Sequence, residues 1–251
     1  MKNVIRKFLS RRGYYIFKEG FIPKGYRFQS DLANIIKIDR FNLIMDIGAF
    51  QGIMTKTFLE AFPLASIITV EPTKDSYEIL KSEFSTNKRV VLENCGVGKE
   101  ESTIEFKVFE NGELNSFKSN INNDEAEALE TVKIPVHTLD YILKNSMPEH
   151  KSIDFLKIDV EGFEMEVLQG ANSLLNDNEI GCIFIEAGFC EDDERHTQFK
   201  IINEFLINKG FSFFALYDLY HYRKSTELLF ANALFLNEKY LFRKDLLIKS
   251  K

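Results

Sequence analysis

The stretch Leu43-Ile44-Met45-Asp46-Ile47-Gly48-Ala49-Phe50-Gln51-Gly52 decides the fold. Its apolar start, ending at Asp46, reads as a buried parallel strand. Gly48 and Gly52 then allow the backbone to turn sharply and to approach a ligand closely. From Ile53 to Phe62 the positions Ile53, Thr57, Phe58 and Ala61 recur at helical spacing. The same rhythm runs outward. Ile67, Ile68 and Val70 form a second strand that ends at Glu71-Pro72, where proline stops the ladder. Tyr77, Leu80 and Phe84 mark a second helix, and Val90 to Glu93 a third strand. Such alternation implies a parallel sheet with helices on both faces.

Residues 99–139 break the rhythm. Ile104, Phe106 and Val108 alternate with Glu105 and Lys107, and Val132, Ile134 and Val136 alternate with Lys133 and Pro135. Two half-exposed strands flanking the acidic stretch Asn120 to Glu130 read as an antiparallel insertion over one edge or over the mouth of a site. The strand–helix pattern then resumes with a strand from Ile153 to Asp159 and a helix from Phe163 to Leu175. A strand from Cys182 to Glu186 follows, then a helix marked by Phe199, Ile202, Phe205 and Leu206. Phe211 to Tyr217 and Leu229 to Leu236 are joined by a loop too short for a crossover helix, so this last pair is antiparallel. The expected fold is α/β and Rossmann-like: a mostly parallel sheet of about seven strands whose last strand is reversed.

The chain has 251 residues, enough for one such domain. Residues 31–251 are assigned to that domain and 1–30 to an N-terminal extension. In the extension Lys2, Arg6, Lys7, Arg11, Arg12 and Lys18 interleave with Val4, Ile5, Phe8, Leu9, Tyr14, Tyr15 and Phe17. A basic amphipathic stretch of this kind either lies on an anionic membrane surface or docks on its own domain with its cations in water. A net charge of −6 speaks against a dedicated nucleic-acid binder. Cys95, Cys182 and Cys190 are odd in number and lack C-x-x-C spacing, which points to a reducing, cytoplasmic setting. No apolar run approaches the ~20 residues that span a bilayer.

A nicotinamide enzyme would want G-x-G-x-x-G after the first strand, to seat a pyrophosphate on a helix N-terminus. Here Asp46 stands where the first glycine belongs. An anion there repels a pyrophosphate and suits the amino and sulfonium centres of S-adenosylmethionine. The acid expected roughly 20 positions on, at the next strand end, is Glu71, placed to accept both ribose hydroxyls. An NAD(P)-dependent oxidoreductase and a non-catalytic binding domain are the alternatives. The absent first glycine and the lack of a Tyr-x-x-x-Lys pair count against the former.

Asp46 to Gly52, Val70-Glu71-Pro72, Asn94-Cys95-Gly96-Val97-Gly98 and above all Leu156-Lys157-Ile158-Asp159-Val160-Glu161-Gly162 resemble the motifs of the FkbM-type methyltransferases. Gln169-Gly170-Ala171, Ile185-Glu186 and Asn232-Ala233-Leu234-Phe235 fit as well, so the resemblance runs from about Asn42 to Leu236. It implies a class I methyltransferase that uses S-adenosylmethionine, acting on hydroxyls of sugars, glycolipids or polyketides. It also implies Asp46, Gly48, Ala49, Gly52, Glu71 and Pro72 as cofactor contacts, with Gly96 and Val97 near the adenine. Phe50 departs from the family, many of whose members carry Asn there. Ser116 matches a serine that the family tends to carry.

An aliphatic hydroxyl attacks a methyl group only when a base takes its proton or a metal lowers its pKa. Asp159 and Glu186 end neighbouring strands beside the crevice and are the first candidates, for base or for Mg²⁺. Lys157 shares a sheet face with Asp159 and, buried, needs a carboxylate partner, Asp159 or Glu186. Glu161 leads into the following helix, where a carboxylate also suits the helix N-terminus. Among the histidines, His137 and His221 are candidate bases. His221 lies among Tyr217, Tyr220 and Tyr222, which are able to stack on a sugar ring.

Overall fold

The structure, a computed structural model, describes residues 7–14, 24–108, 130–193, 195–221 and 226–248. In chain order the elements are α1 (Phe28–Ala33), β1 (Leu43–Ile47), α2 (Ile53–Ala61), β2 (Ser66–Val70), α3 (Lys74–Phe84), β3 (Val90–Glu93) and β4 (Gly96–Val97). Then come β5 (Ser102–Val108), β6 (Glu130–His137), α4 (Leu139–Ser146), β7 (Ile153–Ile158), α5 (Glu164–Gln169), α6 (Asn172–Asn176) and β8 (Ile180–Gly188). The last are α7 (Phe199–Asn208), β9 (Ser212–His221), β10 (Leu228–Leu236) and α8 (Glu238–Arg243).

Seven strands form one sheet in the order β3-β2-β1-β7-β8-β10-β9. All neighbours are parallel except β10, which runs against both β8 and β9. The last strand is thus reversed, as its short connection requires. The strand order changes direction between β1 and β7, which places the ligand crevice at the carboxyl ends of these strands.

Alternation along the buried strands sends side chains to two cores. Leu43, Met45, Ile47, Leu156, Ile158, Ile183 and Ile185 face one, packed by α4, α5, α6 and α7. Ile44, Phe155, Cys182 and Phe184 face the other, packed by α1, α2 and α8. The second core is rich in phenylalanine. Phe28 stacks on Phe155 at 5.4 Å and touches Phe184 at 4.6 Å, and Phe41 stacks on Phe62 at 5.3 Å. Buried Asp154 ties the layers together. It accepts the amides of Asn42 (2.6 Å) and Leu43 (3.1 Å) and the hydroxyl of Tyr240 on α8 (2.6 Å).

Three expectations need correction, and one element was not anticipated. The buried face of α2 is Thr55 and Phe58, whereas Ile53 is exposed and Thr57 spends its hydroxyl on the Ile53 carbonyl. The helix expected from Phe163 to Leu175 is two helices. A Cβ on Gly170 would lie 2.0 Å from the Gly98 carbonyl oxygen, so two backbones touch where α5 stops. The Asp140 carboxylate then starts α6 afresh by accepting the amides of Ser173 and Leu174. Helix α4, capped by the Thr138 hydroxyl on the Tyr141 amide, fills a span with no expectation attached. Finally β4 adds a parallel strand to the antiparallel pair β5–β6, making a separate three-stranded sheet.

Residues 109–129, with Ser116, and half of the N-terminal extension, residues 1–6 and 15–23, lie outside the described residues. Within 7–14, Phe8 and Tyr14 are exposed and the Arg12 guanidinium lies 4.2 Å over the Phe8 ring. Among the described residues no helix is long and apolar enough to cross a membrane.

Candidate functional site

The loop after β1 owes its shape to its neighbours. Gly48 has φ 74° and a Cβ there would lie 1.8 Å from the Asp159 carbonyl oxygen. Gly52 has φ 81°, and its Cβ would meet Leu80 and Phe84 of α3. Both glycines are therefore required by close packing of the protein itself, against the Asp159 backbone and against α3. Ala49 is buried and its amide, like that of Gly48, donates to the Val70 carbonyl. Phe50 holds φ 48°, a left-handed conformation that Asn adopts more easily. Its amide donates to Glu71 Oε2 at 2.8 Å.

Asp46 is fully enclosed. Thr55 of α2 donates to its Oδ2 at 2.6 Å, and Lys157 Nζ, its register neighbour on β7, lies 3.4 Å from its Oδ1. The Asp46 carboxylate thus has a protein cation beside it, which the sequence alone did not show. Lys157 also donates to the Gly48 carbonyl at 2.7 Å and reaches Asp159 at 3.3 Å. Burial by itself would push the ammonium down, but Asp159 and Asp46 hold its pKa above the usual lysine range. Lys157 thus clamps the two loops that face the crevice.

Glu71 ends β2 with its carboxylate almost enclosed. It accepts the Phe50 amide on one oxygen and the amide and hydroxyl of Thr73 on the other. Burial outweighs these hydrogen bonds and raises its pKa. Pro72 is half-buried, and Asn94 donates to the carbonyls of both Glu71 and Pro72. Gly96 and Val97 are buried in β4, and Val97 lines a cavity of about 180 Å³ with Gly98, Ile104, Val136 and Phe163.

At the ends of β7 and β8, Asp159, Glu161 and Glu186 converge, with one oxygen from each lying within 4.8 Å of the others. Glu161 joins by a strained turn, its φ of 52° followed by 99° at Gly162. Each carboxylate meets a protein cation: Lys157 at Asp159, Arg195 at Glu161 (2.8 Å) and His196 at Glu186 (3.1 Å). Arg195 and His196 come from the loop between β8 and α7. That loop is fastened to the β7 side by the Thr197 amide and hydroxyl on buried Glu164, which also accepts the Gly162 amide. Burial raises the pKa of Glu161 and of Glu164. Burial likewise pushes Glu186 up, to about 7, against the pull of His196. His196 shows the opposite balance. Burial would lower it, yet Asp193 (2.6 Å from Nδ1) and Glu186 lift it to about 10.

The sequence named Asp159, Glu161, Lys157 and Glu186, and the structure brings them together. The partner offered for Lys157 is Asp159, with Asp46 in addition. His196, Asp193 and Arg195 were missed, because a loop histidine carries no period or spacing to mark it. His221 is not in a loop but ends β9, exposed, in register with Leu228 two strands from β8. His137 is bound by Glu101 and stacked on Tyr141, in the small sheet. Tyr217 is buried with its hydroxyl on Asp31, while Tyr220 stacks on Phe230; Tyr222 lies outside the described residues.

This sheet order, mostly parallel with a reversed strand between two parallel ones, is the class I methyltransferase arrangement. Residues 46–213 match the methyltransferase FkbM domain, and the chain belongs to that family. Among curated relatives, "Methyltransferase 1" of Beauveria bassiana is 27% identical over 172 residues, 62% of this chain and 66% of that protein. "Methyltransferase sdnD" of Sordaria araneosa is 27% identical over 184 residues, 63% and 68% of the two chains. The chain thus spans about two thirds of the length of these relatives. Similar solved structures include M. capricolum TrmK in complex with S-adenosyl-homocysteine, at TM-score 0.48 and 12% identity over 86% of this chain and 70% of that one. Another is Aeropyrum pernix fibrillarin with bound S-adenosyl-L-methionine, at TM-score 0.44 and 11% identity over 78% and 67%.

Proposed function

We propose that the chain moves a methyl group from S-adenosylmethionine to a hydroxyl of a sugar, glycolipid or related secondary metabolite, with Glu186 taking the hydroxyl proton. The convergence of Asp159, Glu161 and Glu186 carries this reading. The donor supplies an electrophilic methyl: as the acceptor oxygen bonds to it the carbon–sulfur bond breaks, leaving S-adenosylhomocysteine. Glu71 suits the ribose through Oε2, which accepts the Phe50 amide and keeps acceptor capacity, whereas Oε1 already takes the amide and hydroxyl of Thr73. Lys157 fixes the Gly48 carbonyl and Asp159 on either side of the crevice. A base poised near neutrality is the effective one, which is where Glu186 stands.

Oxygen ligands such as Asp159 and Glu186 suit Mg²⁺ in kind. Here, however, Lys157, Arg195 and His196 each pair with one oxygen of the three carboxylates and already compensate their charge. We therefore give the charge compensation to these side chains and route no step through a metal.

Calorimetry with S-adenosylhomocysteine and with NADH tests the donor, and saturable binding of NADH alone would overturn it. Methyl transfer to a panel of hydroxylated and amino acceptors, followed by release of S-adenosylhomocysteine, tests the acceptor; turnover confined to amines refutes O-methylation. Saturable Mn²⁺ binding that Glu161→Gln abolishes would replace the side-chain base by a metal.

A further inference from the structure

Gly188, at the end of β8, leaves room for the following loop to fold back over the strand. A Cβ there would sit 3.2 Å from Asp193 Oδ2, Gln198 Nε2 and His196 Cβ. The loop is pinned where it crosses: the Gly188 amide donates to the Thr197 carbonyl, the Gln198 amide group to the Cys190 carbonyl, and the Phe189 amide to Leu229. The result sets three side chains in a row, Asp193, His196 and Glu186, with ring contacts of 2.6 Å and 3.1 Å. His196 is buried, and its ring stacks at 4.4 Å on Phe230, which pairs in register with Gly188. A ring held on one face by an aromatic and at both nitrogens by carboxylates has one orientation.

From this geometry we infer that His196 is a positioning residue for methyl transfer: oriented by Asp193, it presents a positive charge to Glu186, favours the ionised form of that carboxylate against its acidic neighbours and aims it at the acceptor. The inference rests on the reading of Glu186 as the base. The arrangement answers a specific electrostatic problem. Glu186 faces Asp159 and Glu161 across the cluster, both of which disfavour its charged form, and burial does the same. Lys157 is committed to Asp159 and Asp46, and Arg195 to Glu161. From the β10 side, Asn232 stands opposite Glu186 and donates to Asp218. His196 is the cation within ion-pair distance of Glu186 among the described residues. With a carboxylate facing each ring nitrogen, Asp193 at Nδ1 and Glu186 at Nε2, the protonated ring is favoured and His196 serves as a cation and not as a base.

The test has two arms. First, the full chain labelled with ¹⁵N-histidine is titrated by NMR without any acceptor. The His196 ring stays protonated past pH 9 in the parent and titrates at least one unit lower in Asp193→Asn; a parent ring that titrates near 6.5 overturns the inference. Second, kcat/KM is followed against pH with an acceptor from the panel. A lost opposite charge at this distance shifts a carboxyl by about 1–3 units. The acid limb of His196→Gln should therefore move up by about one unit or more, a roughly tenfold loss on that limb that fades above it. S-adenosylhomocysteine affinity should stay within about twofold of the parent. Asp193→Asn should move the limb the same way and carries the test if His196→Gln does not fold. A uniform loss at every pH marks a merely structural role and refutes the inference. Failure of the underlying reading looks different: Glu186→Gln would then turn over like the parent while the ring titration stays as expected, and the positioning role falls with the base.

Discussion

Lys157→Met removes the clamp while keeping the side chain's length, and the structure says which partner then suffers. The ammonium lies 3.4 Å from Asp46 and 3.3 Å from Asp159. At an effective dielectric of about 20 either contact is worth about 5 kcal/mol of Coulomb energy before desolvation is charged against it. Breaking a buried pair by removing one partner costs about 3–5 kcal/mol, because the other charge is stranded. The stranding is unequal: the Asp46 side chain is 0% exposed and that of Asp159 38%. Water can reach Asp159 but not Asp46, so the penalty belongs almost wholly to Asp46. Lys157→Met should therefore lose about 3–5 kcal/mol in urea denaturation followed by circular dichroism, with an unchanged m-value. Adding Asp46→Asn should return roughly half of that loss, whereas adding Asp159→Asn should return little. The deficit should also narrow in acid, where a carboxyl needs no counter-ion. A loss below about 1 kcal/mol, or a better rescue by Asp159→Asn, refutes the assignment of Lys157 as the clamp on Asp46.

The remaining predictions follow from the same contacts. Glu71→Gln loses charged acceptors worth about 1.5–3 kcal/mol, so calorimetry should show S-adenosylhomocysteine binding weakened by roughly 10- to 100-fold. Gly48→Ala places a Cβ 1.8 Å from the Asp159 carbonyl oxygen and strains a residue at φ 74°; its thermal midpoint should fall by 10 °C or more, on the order of several kcal/mol. His196 is raised in the folded protein to about 10 from 6.5, so its stabilising effect is full below pH 6.5 and is lost as the pH climbs through 10. Unfolding free energy should drop by a few kcal/mol between pH 7 and 10 in the parent and stay flatter in His196→Gln. Glu186, raised to about 7 from 4.5, acts lower: its contribution is present below pH 4.5 and gone above 7.

Where a pattern repeats, the sequence was enough. Leu43-Ile44-Met45 and Ile153 to Asp159 announced buried parallel strands, and the short connection before Leu229 announced the reversed one. The acids at strand ends were legible because topology decides where strand ends go. Contacts between distant backbones were not. Nothing local in Gln169-Gly170-Ala171 shows that Gly98 will press against Gly170 and break a helix. The ion pair of Asp46 was hidden for the same reason, since its partner Lys157 stands on β7, more than a hundred residues away. Arg195 and His196 act through where a loop lands, and composition does not encode a landing.

The position of β10 has a consequence for how the protein is made. It is the penultimate described element, yet it lies between β8 and β9 and bonds to both. During synthesis from the N-terminus, β9 therefore emerges with no sheet neighbour to receive it. Tyr240, which closes over Asp154 on β7, emerges later still. Until those residues clear the ribosome, the β10 side of β8, with Cys182, Phe184 and Ile185, is an apolar edge left unpaired. The nascent chain thus passes through a stage in which most of the sheet exists but its sticky edge is bare. Chain stalling or truncation before Leu228 would hold it at that stage, and such fragments should be recovered bound to chaperones or in aggregates.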